Sequence, residues 1–285
     1  LRTEAIEIRS LSTIEELEEV RRLESKIWGE SDSIPTHQTI TAVKNGGLVL
    51  GAYYAGKLIA FQYSFPGFNG QSVYLCSHIL GTDEQFRNKG IGEKLKQAQR
   101  DEALKLGYSL ITWTYDPLES INGYLNIGKL GGVVSTYIPN CYGEMEDLLN
   151  SGLPSDRFLV EWHFGDTAQV DTFGTEYEQD FVLGSSFLKW DINENGQPVT
   201  APLQLEGLHN NHVQFVPIPK NYRIIRETNL ELATNWRMHT RMAFSELFKQ
   251  GWQVSGFKKI NDPGIPVNFY ILTRPAPKGD FCNED

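Results

Sequence analysis

The sequence holds little cysteine: Cys76, Cys141 and Cys282 are the three in 285 residues. An odd number at wide spacing excludes a dense disulfide framework and reads as reduced thiols. No CxxC pair occurs, so no cysteine-based zinc site, and no metal, is expected. No run of about 18 apolar residues occurs, so no membrane-spanning helix is expected. Residues 1–10 are polar and lack the apolar segment of a signal peptide, so a cytoplasmic location is expected. Basic residues are the scarcer sign, with 26 Lys and Arg against 36 Asp and Glu and a formal net charge of −10. That balance argues against a broad nucleic-acid footprint, which needs clustered cations to neutralise phosphates. It suits a cationic amine partner only weakly, because a charge of this size mainly serves solubility.

What is present is an ordinary globular composition, 40% hydrophobic and 22% charged. The length allows one large or two modest domains. Ser12, three residues before Glu15, fits a capping box that opens a helix through Leu17, Val20, Leu23 and Ile27. Residues 36–43 read as a short helix closed by Asn45-Gly46-Gly47. Residues 48–54 and 58–65 flank Ala55-Gly56-Lys57 as a hairpin, and 71–82 follow as a third strand. Residues 90–106 read as a helix with Ile91, Leu95, Ala98, Ala103 and Leu106 mostly on one side, ended by Gly107. A strand at 108–115 is interrupted by Asp116-Pro117. A helix at 120–130 stops at Gly131-Gly132, and strands follow at 133–138 and 157–164. Antiparallel strands come first and β-α-β crossovers second, so the class is α+β or mixed α/β.

Residues 165–184 read as a polar connection. Beyond it, strands are expected at 187–192, 213–218 and 222–225, with a turn at Asn193-Glu194-Asn195-Gly196. A long helix at 229–249 carries Leu232, Trp236, Ala243 and Leu247. A hairpin of 252–258 and 267–274 turns around residues 261–264. The expected organisation is therefore a first domain at 1–165, a connection at 166–184 and a C-terminal α+β part at 185–285. One internal echo stands out: 129–137 aligns with 249–257, each a helix end, a glycine stop and a strand. Coincidence and a partial repeat both remain open for it.

The segment from His78 to Gly92 runs from a strand into a loop that opens a helix. The first turn of a helix has unpaired N–H groups and a partial positive charge, so it attracts phosphate. Gly90 and Gly92 remove side chains that would block a close approach, and Arg87 and Lys89 add cationic charge. No GxxxxGK[ST] string occurs, and a GxGxxG reading fails because Leu95 stands where the third glycine belongs. The pattern [RQ]xxGx[GA] fits as Arg87, Gly90 and Gly92.

That pattern, in this order of elements, resembles the GNAT N-acetyltransferase superfamily. More narrowly, the chain is similar to an uncharacterised bacterial subgroup of predicted acetyltransferases with a C-terminal extension. The resemblance implies a GNAT fold with a mixed central sheet and splayed strands, and an acyl-CoA, expected to be acetyl-CoA, as co-substrate. It implies that the cofactor is held at Leu80 and Thr82 on the strand end and at Arg87, Asn88, Lys89, Gly90, Ile91 and Gly92 in the loop. Asn122 and Asn126 match the helix that contributes an amide to CoA. Backbone groups at the strand end would bind the pantetheine arm, and one N–H would polarise the thioester carbonyl. The run Lys129-Leu130-Gly131-Gly132 resembles the family's helix end, with Gly132 in place of the usual aromatic. The reaction implied is direct attack of an amine on the thioester. The acceptor is a small-molecule amine or a protein amine, with no nucleic acid or membrane partner, and a homo-oligomer is compatible.

Direct attack needs a base for the ammonium proton and an acid for the leaving thiolate. The family's usual tyrosine, near Ile127-Gly128-Lys129, has no counterpart; Tyr124, Tyr137 and Tyr142 are near in sequence, and Tyr142 is the candidate taken. His78 alternates with Leu80 and Thr82 and could relay a proton, though a lone strand histidine is more often a core residue. Asp116 sits at a strand's C-terminal end, where it could act in catalysis or serve a turn. Glu161 and His163 read as a structural pair. Arg237 and Arg241 share a helix face, either to clamp an anion or to pair with acidic neighbours. His209 and His212 read as turn residues. Two functions follow: an N-acyltransferase whose C-terminal part shapes the acceptor pocket, or a catalytically silent CoA-binding or regulatory module on the same fold.

Overall fold

The computed structural model describes residues 5–31, 33–143, 153–164, 177–201 and 212–275. Cys282, His209 and most of the 165–184 connection lie outside them. Two compact units form: residues 1–113 with 161–169, and residues 114–160 with 170–285.

In the first unit, β1 (Glu7–Ser10), β2 (Leu48–Tyr54), β3 (Lys57–Phe68) and β4 (Val73–Thr82) run antiparallel in chain order, and β5 (Leu110–Tyr115) joins β4 in parallel. β5 passes into the second unit after Trp113. Tyr54 pairs with Lys57, so the β2–β3 turn is Ala55-Gly56, both at positive φ, 51° and 73°. That is the turn whose twist matches the strands it joins. Helix α1 (Ile14–Trp28) begins one residue later than the sequence spacing suggests. Thr13, not Ser12, is the cap: its hydroxyl accepts from Glu16 N–H, and the Glu16 carboxylate accepts from the N–H of Ser12 and Thr13. Arg9 also bonds that carboxylate, and the two effects hold Glu16 down at about 2.

Strand alternation sorts the two faces of β3. Phe61 and Tyr63 join Leu17, Val20, Leu23 and Val49 in a buried cluster with α1, against which Ile40 and Val43 of α2 (Thr36–Lys44) pack. Gln62 and Ser64 face the other way, bonded to each other, and Ser64 also accepts from Gln99 of α3 (Ile91–Lys105). The buried stripe of α3 is Ile91, Leu95, Lys96, Gln99 and Ala103. Ala98 is only half-buried and Leu106 exposed, so the expected stripe is corrected. The 91-95-99-103 row sets the face, whatever the polarity of its members.

The second unit repeats a β-α-β-β pattern. Its first copy is the end of β5, α4 (Ser120–Gly123) running into a π-turn at Tyr124–Lys129, β6 (Val133–Ile138) and the start of β7 (Arg157–His163). After α5 (Gln179–Gly184) and the hairpin β8 (Trp190–Ile192) and β9 (Pro198–Thr200), the second copy follows. It comprises β10 (Val213–Pro219), α6 (Tyr222–Thr228), α7 (Leu230–Lys249), β11 (Gln253–Lys258) and β12 (Val267–Thr273). In each copy the last strand lies between the other two, in the orders β5-β7-β6 and β11-β12-β10.

The echo is therefore structural. Gly131 and Gly251 hold the same left-handed turn, φ 73° and 80°, and β6 pairs with β11 through the aligned residues Val134 and Val254. Pairing of equivalent residues is what a local two-fold relation requires. Residues 222–225, expected as strand, are helical. Tyr222 and Ile225 are buried one turn apart, and the Tyr222 hydroxyl donates to the Ala233 carbonyl. Pro217 and Pro219 fit β10 because it ends the order β11-β12-β10.

Candidate functional site

β4 and β5 pair only at Leu75↔Ile111 and Cys76↔Thr112. Past that point a bulge interrupts β4: Ser64 of β3 pairs with Ser77 and Tyr63 with Ile79, leaving His78 as the extra residue. A bulge bends its strand and increases the local twist. Here it falls where the parallel pairing stops, and the strands form a fork. His78 is pushed out of the ladder but not into a core. Its ring is solvent-exposed, edge-on to Tyr63 at 6.0 Å and tilted against Phe65 at 5.5 Å. Desolvation by those surroundings lowers its pKa, which favours the neutral imidazole.

β4 ends at Leu80-Gly81-Thr82, where Gly81 is forced: a Cβ would lie within 3.0 Å of Phe61, Trp28 and Ile27. The loop that follows is anchored at Asp83, which accepts from Lys26 Nζ at 2.7 Å and caps a short 3-10 turn at Glu84–Phe86. Lys26 is also the leading reason that the Asp83 pKa is lowered. Arg87 reaches back to the Thr82 carbonyl, and Lys89 to the Gln85 carbonyl. Asn88 and Gly90 take positive φ, 61° and 74°, so the chain folds tightly into α3. Gly90 caps that helix with no side-chain bond, which leaves the first-turn N–H groups facing outward. Ile91 is buried and anchors the turn. At Gly92 an added Cβ would make only an ordinary 3.6 Å contact with Leu80. The protein's own packing does not require glycine there; a closely approaching anion would.

Behind the fork lies a buried polar network that sequence reading missed. Lys96, 4% exposed, donates to Ser77 Oγ at 2.8 Å and sits 3.6 Å from the centre of the Trp113 ring. Gln62 Nε2 reaches Ser64 at 2.6 Å and Ser77 at 3.4 Å, and Gln99 Nε2 reaches Ser64 at 2.7 Å. The carbonyl oxygens of Gln62 and Gln99 and the Trp113 Nε1 are buried without a partner. Desolvation pushes Lys96 down to about 7, while the nearby Cys76 thiol works in the opposite sense. The available signal was positional: Lys96 and Gln99 fall on the buried row of α3.

The second unit holds the other candidates. Asp116, at the end of β5, accepts the Leu118 N–H and a two-pronged bond from Arg237, at 2.9 and 2.5 Å. Burial opposes the Arg237 charge, yet Asp116 holds its pKa above the ordinary range. Arg241 pairs in the same way with Asp156, which also accepts from the Tyr137 hydroxyl. Burial works against the Asp156 carboxylate, but these bonds keep its pKa low. Both arginines thus pair with acidic neighbours. Tyr142 is 56% exposed, with its hydroxyl 2.7 Å from Thr114 Oγ1 and the Arg157 guanidinium over its ring. Asn122 is exposed, whereas Asn126 is buried in the π-turn. Gly132 admits no aromatic, because any Cβ would lie 2.5 Å from Val160 and 2.9 Å from the Asn126 carbonyl. Glu161 and His163 are half-buried on β7.

Among the described residues no group of three or more His, Cys, Asp or Glu could hold a metal ion, and no helix is long and apolar enough to cross a membrane. No protein-family model matches the chain. No curated protein matches it either. Many solved GNAT acetyltransferase structures do. The chain is similar to the ribosomal-protein-S18-alanine N-acetyltransferase of Escherichia coli, at 17% identity and TM-score 0.46 over 57% of this chain and 98% of that one. It is similar to a putative acetyltransferase of Salmonella typhimurium solved with acetyl-CoA, at 16% identity and TM-score 0.47 over 57% and 96%. A GNAT-family acetyltransferase of Streptococcus pneumoniae matches at 14% identity and TM-score 0.46 over 56% and 100%. At these values no chemistry is carried over, and the chain's own fork and loop carry the functional reading.

Proposed function

We propose that the chain is an acyl-CoA-dependent N-acyltransferase of the GNAT type, with acetyl-CoA as the expected donor and an amine as acceptor. The observation that carries this reading is the fork: parallel pairing that stops at Cys76, beside a glycine-lined helix N-terminus flanked by Arg87 and Lys89. The open N–H groups of α3 suit a pyrophosphate. The unpaired edge of β4, ending in Leu80 and Thr82, suits an amide-bearing arm. His78 is the candidate base. Its lowered pKa keeps it unprotonated near neutral pH, and its exposed ring can receive an acceptor's proton.

Isothermal titration with acetyl-CoA and CoA tests the reading. Micromolar binding, weakened by Arg87→Ala, is expected; no heat at millimolar ligand would sink it. A second reading, a CoA-binding module without turnover, is favoured by two observations. Asp116 is engaged by Arg237 and the Leu118 N–H, and no tyrosine stands at Ile127-Gly128-Lys129. Thiol release from acetyl-CoA in the presence of any of a panel of amines would reject it.

A further inference from the structure

The strangest group in the first unit is Lys96, an ammonium buried with no carboxylate against it among the described residues. It meets one hydroxyl and one aromatic face. Both belong to the fork: Ser77 follows the last paired residue of β4, and Trp113 follows the last paired residue of β5. Lys96 thus sits at the crotch, touching the first unpaired residue on each side. On β3 the neutral Gln62 shares Ser77 with it; on β5 it meets Trp113; on β4 the Cys76 thiol is the titratable neighbour.

Ser77 is the second part of the observation. Its oxygen accepts from Lys96 Nζ at 2.8 Å and from Gln62 Nε2 at 3.4 Å. While Lys96 is protonated, both bonds use the oxygen as acceptor, and the hydroxyl hydrogen is left to be donated elsewhere. The dimensions say where. The start of α3 lies beside Leu80, which an added Cβ at Gly92 would meet at 3.6 Å, and from Leu80 back to Ser77 is three residues of strand, about 10 Å. A pantetheine arm of about twelve bonds, equivalent to about four residues of extended chain, spans about 14 Å. An arm anchored by phosphate at the loop and lying along the open edge of β4 therefore carries its sulfur to the crotch.

We infer that Ser77, backed by Lys96, protonates the sulfur that leaves from acyl-CoA bound in the fork. This rests on the CoA-binding reading above and adds to it the missing acid. As the amine nitrogen bonds to the carbonyl carbon, the C–S bond breaks and its electron pair goes to sulfur. Sulfur takes the Ser77 hydroxyl proton, and Ser77 is reprotonated by Lys96. The amine left at Lys96 regains its charge with the proton that the acceptor sheds, delivered through solvent. Lys96 is a positioning residue in this scheme, because it acts through Ser77.

The test needs no acceptor. CoA bound to the protein is titrated by the ultraviolet absorbance of its thiolate, with the protein–desulfo-CoA complex as blank to remove Cys76 and the other protein thiols. Binding is confirmed by calorimetry on the same samples. A free thiol titrates near 8.5. Bound CoA is expected to titrate at least one unit lower, because a thiolate and the Lys96 ammonium stabilise each other. Lys96→Arg is expected to keep the lowered value, and Lys96→Met and Ser77→Ala to restore that of free CoA. If bound CoA in the unaltered protein titrates like free CoA, the inference is overturned while the CoA-binding reading stands, a result that needs no variant to fold. If CoA does not bind, both fall.

Discussion

Gly92 and Lys96 are each better explained by a ligand than by the fold, and each can be tested against it. Gly92 lies within α3, where glycine is worse than alanine by about 0.5–1 kcal/mol. A methyl there would meet only Leu80, at an ordinary distance. Gly92→Ala should therefore raise the melting temperature by a few degrees while weakening CoA binding tenfold or more in calorimetry. A variant that is stabilised but still binds would show that the glycine is not there for phosphate. Lys96 works against the fold in a pH-dependent way. Its folded pKa, about 7, lies below the ordinary value of 10.5. Between those values the unfolded chain binds more protons than the native one, so stability rises with pH across that window. Below pH 7 the whole difference opposes folding, up to about 5 kcal/mol at 1.36 kcal/mol per unit. Lys96→Met should then be the more stable protein at pH 6, by a few kcal/mol after the lost Ser77 bond. That advantage should shrink by pH 9.5. Urea midpoints at the two pH values decide it, and a difference that does not change with pH would sink the assignment.

At the scale of elements, what the sequence made legible was local and what it hid was relational. The loop from Arg87 to Gly92 was readable because its residue types act through backbone geometry that no distant partner sets. The Asn193–Gly196 turn and the last hairpin were readable for the same reason. The buried row of α3 was misjudged at Ala98 and Leu106, because a stripe chosen by apolarity passes over Lys96 and Gln99, whose partners come from β3 and β4. Residues 222–225 carry aromatic and branched side chains that suit either state. The bond from Tyr222 to α7 is what accompanies the helix. Arg237 and Arg241 left two readings open, and only the fold could bring Asp116 and Asp156 to them. That pairing makes a quantitative expectation. Removing one partner of a buried ion pair leaves the other charged and unsatisfied, which costs about 3–5 kcal/mol. Arg237→Met should lower the unfolding free energy by that amount in denaturant titrations. The same change at Arg223, exposed and 3.9 Å from Glu227, should shift it by less than about 1 kcal/mol.

For the whole molecule, chain order and unit membership do not coincide. The chain leaves the first unit after Trp113, builds the first part of the second, returns at Glu161, and leaves again after residue 169. A cut near residue 165, where polarity suggests a connection, would separate residues 114–160 from the rest of their own unit. The losses can be named. Asp116 and Asp156 would lose Arg237 and Arg241, and Tyr115 would lose the Tyr270 hydroxyl. Phe158, which is fully buried, would lose Phe244 at 4.7 Å and Tyr270 at 5.4 Å. Gly123, where an added Cβ would lie 2.6 Å from the Tyr270 hydroxyl, would face solvent with its close packing gone. The two aromatic side chains so uncovered would each forfeit about 1.5–3 kcal/mol, and each of the two broken ion pairs about 3–5 kcal/mol, a sum comparable with the whole stability of an ordinary domain. The duplicated β-α-β-β pattern points the same way, since the two copies pair with each other through β6 and β11. A fragment of residues 1–165 is therefore expected to be expressed as an aggregating or partly folded chain. It should bind a hydrophobic dye and lack a cooperative urea transition, while the full chain melts cooperatively. A soluble fragment with a sharp transition would show instead that residues 114–160 are stable without the second copy.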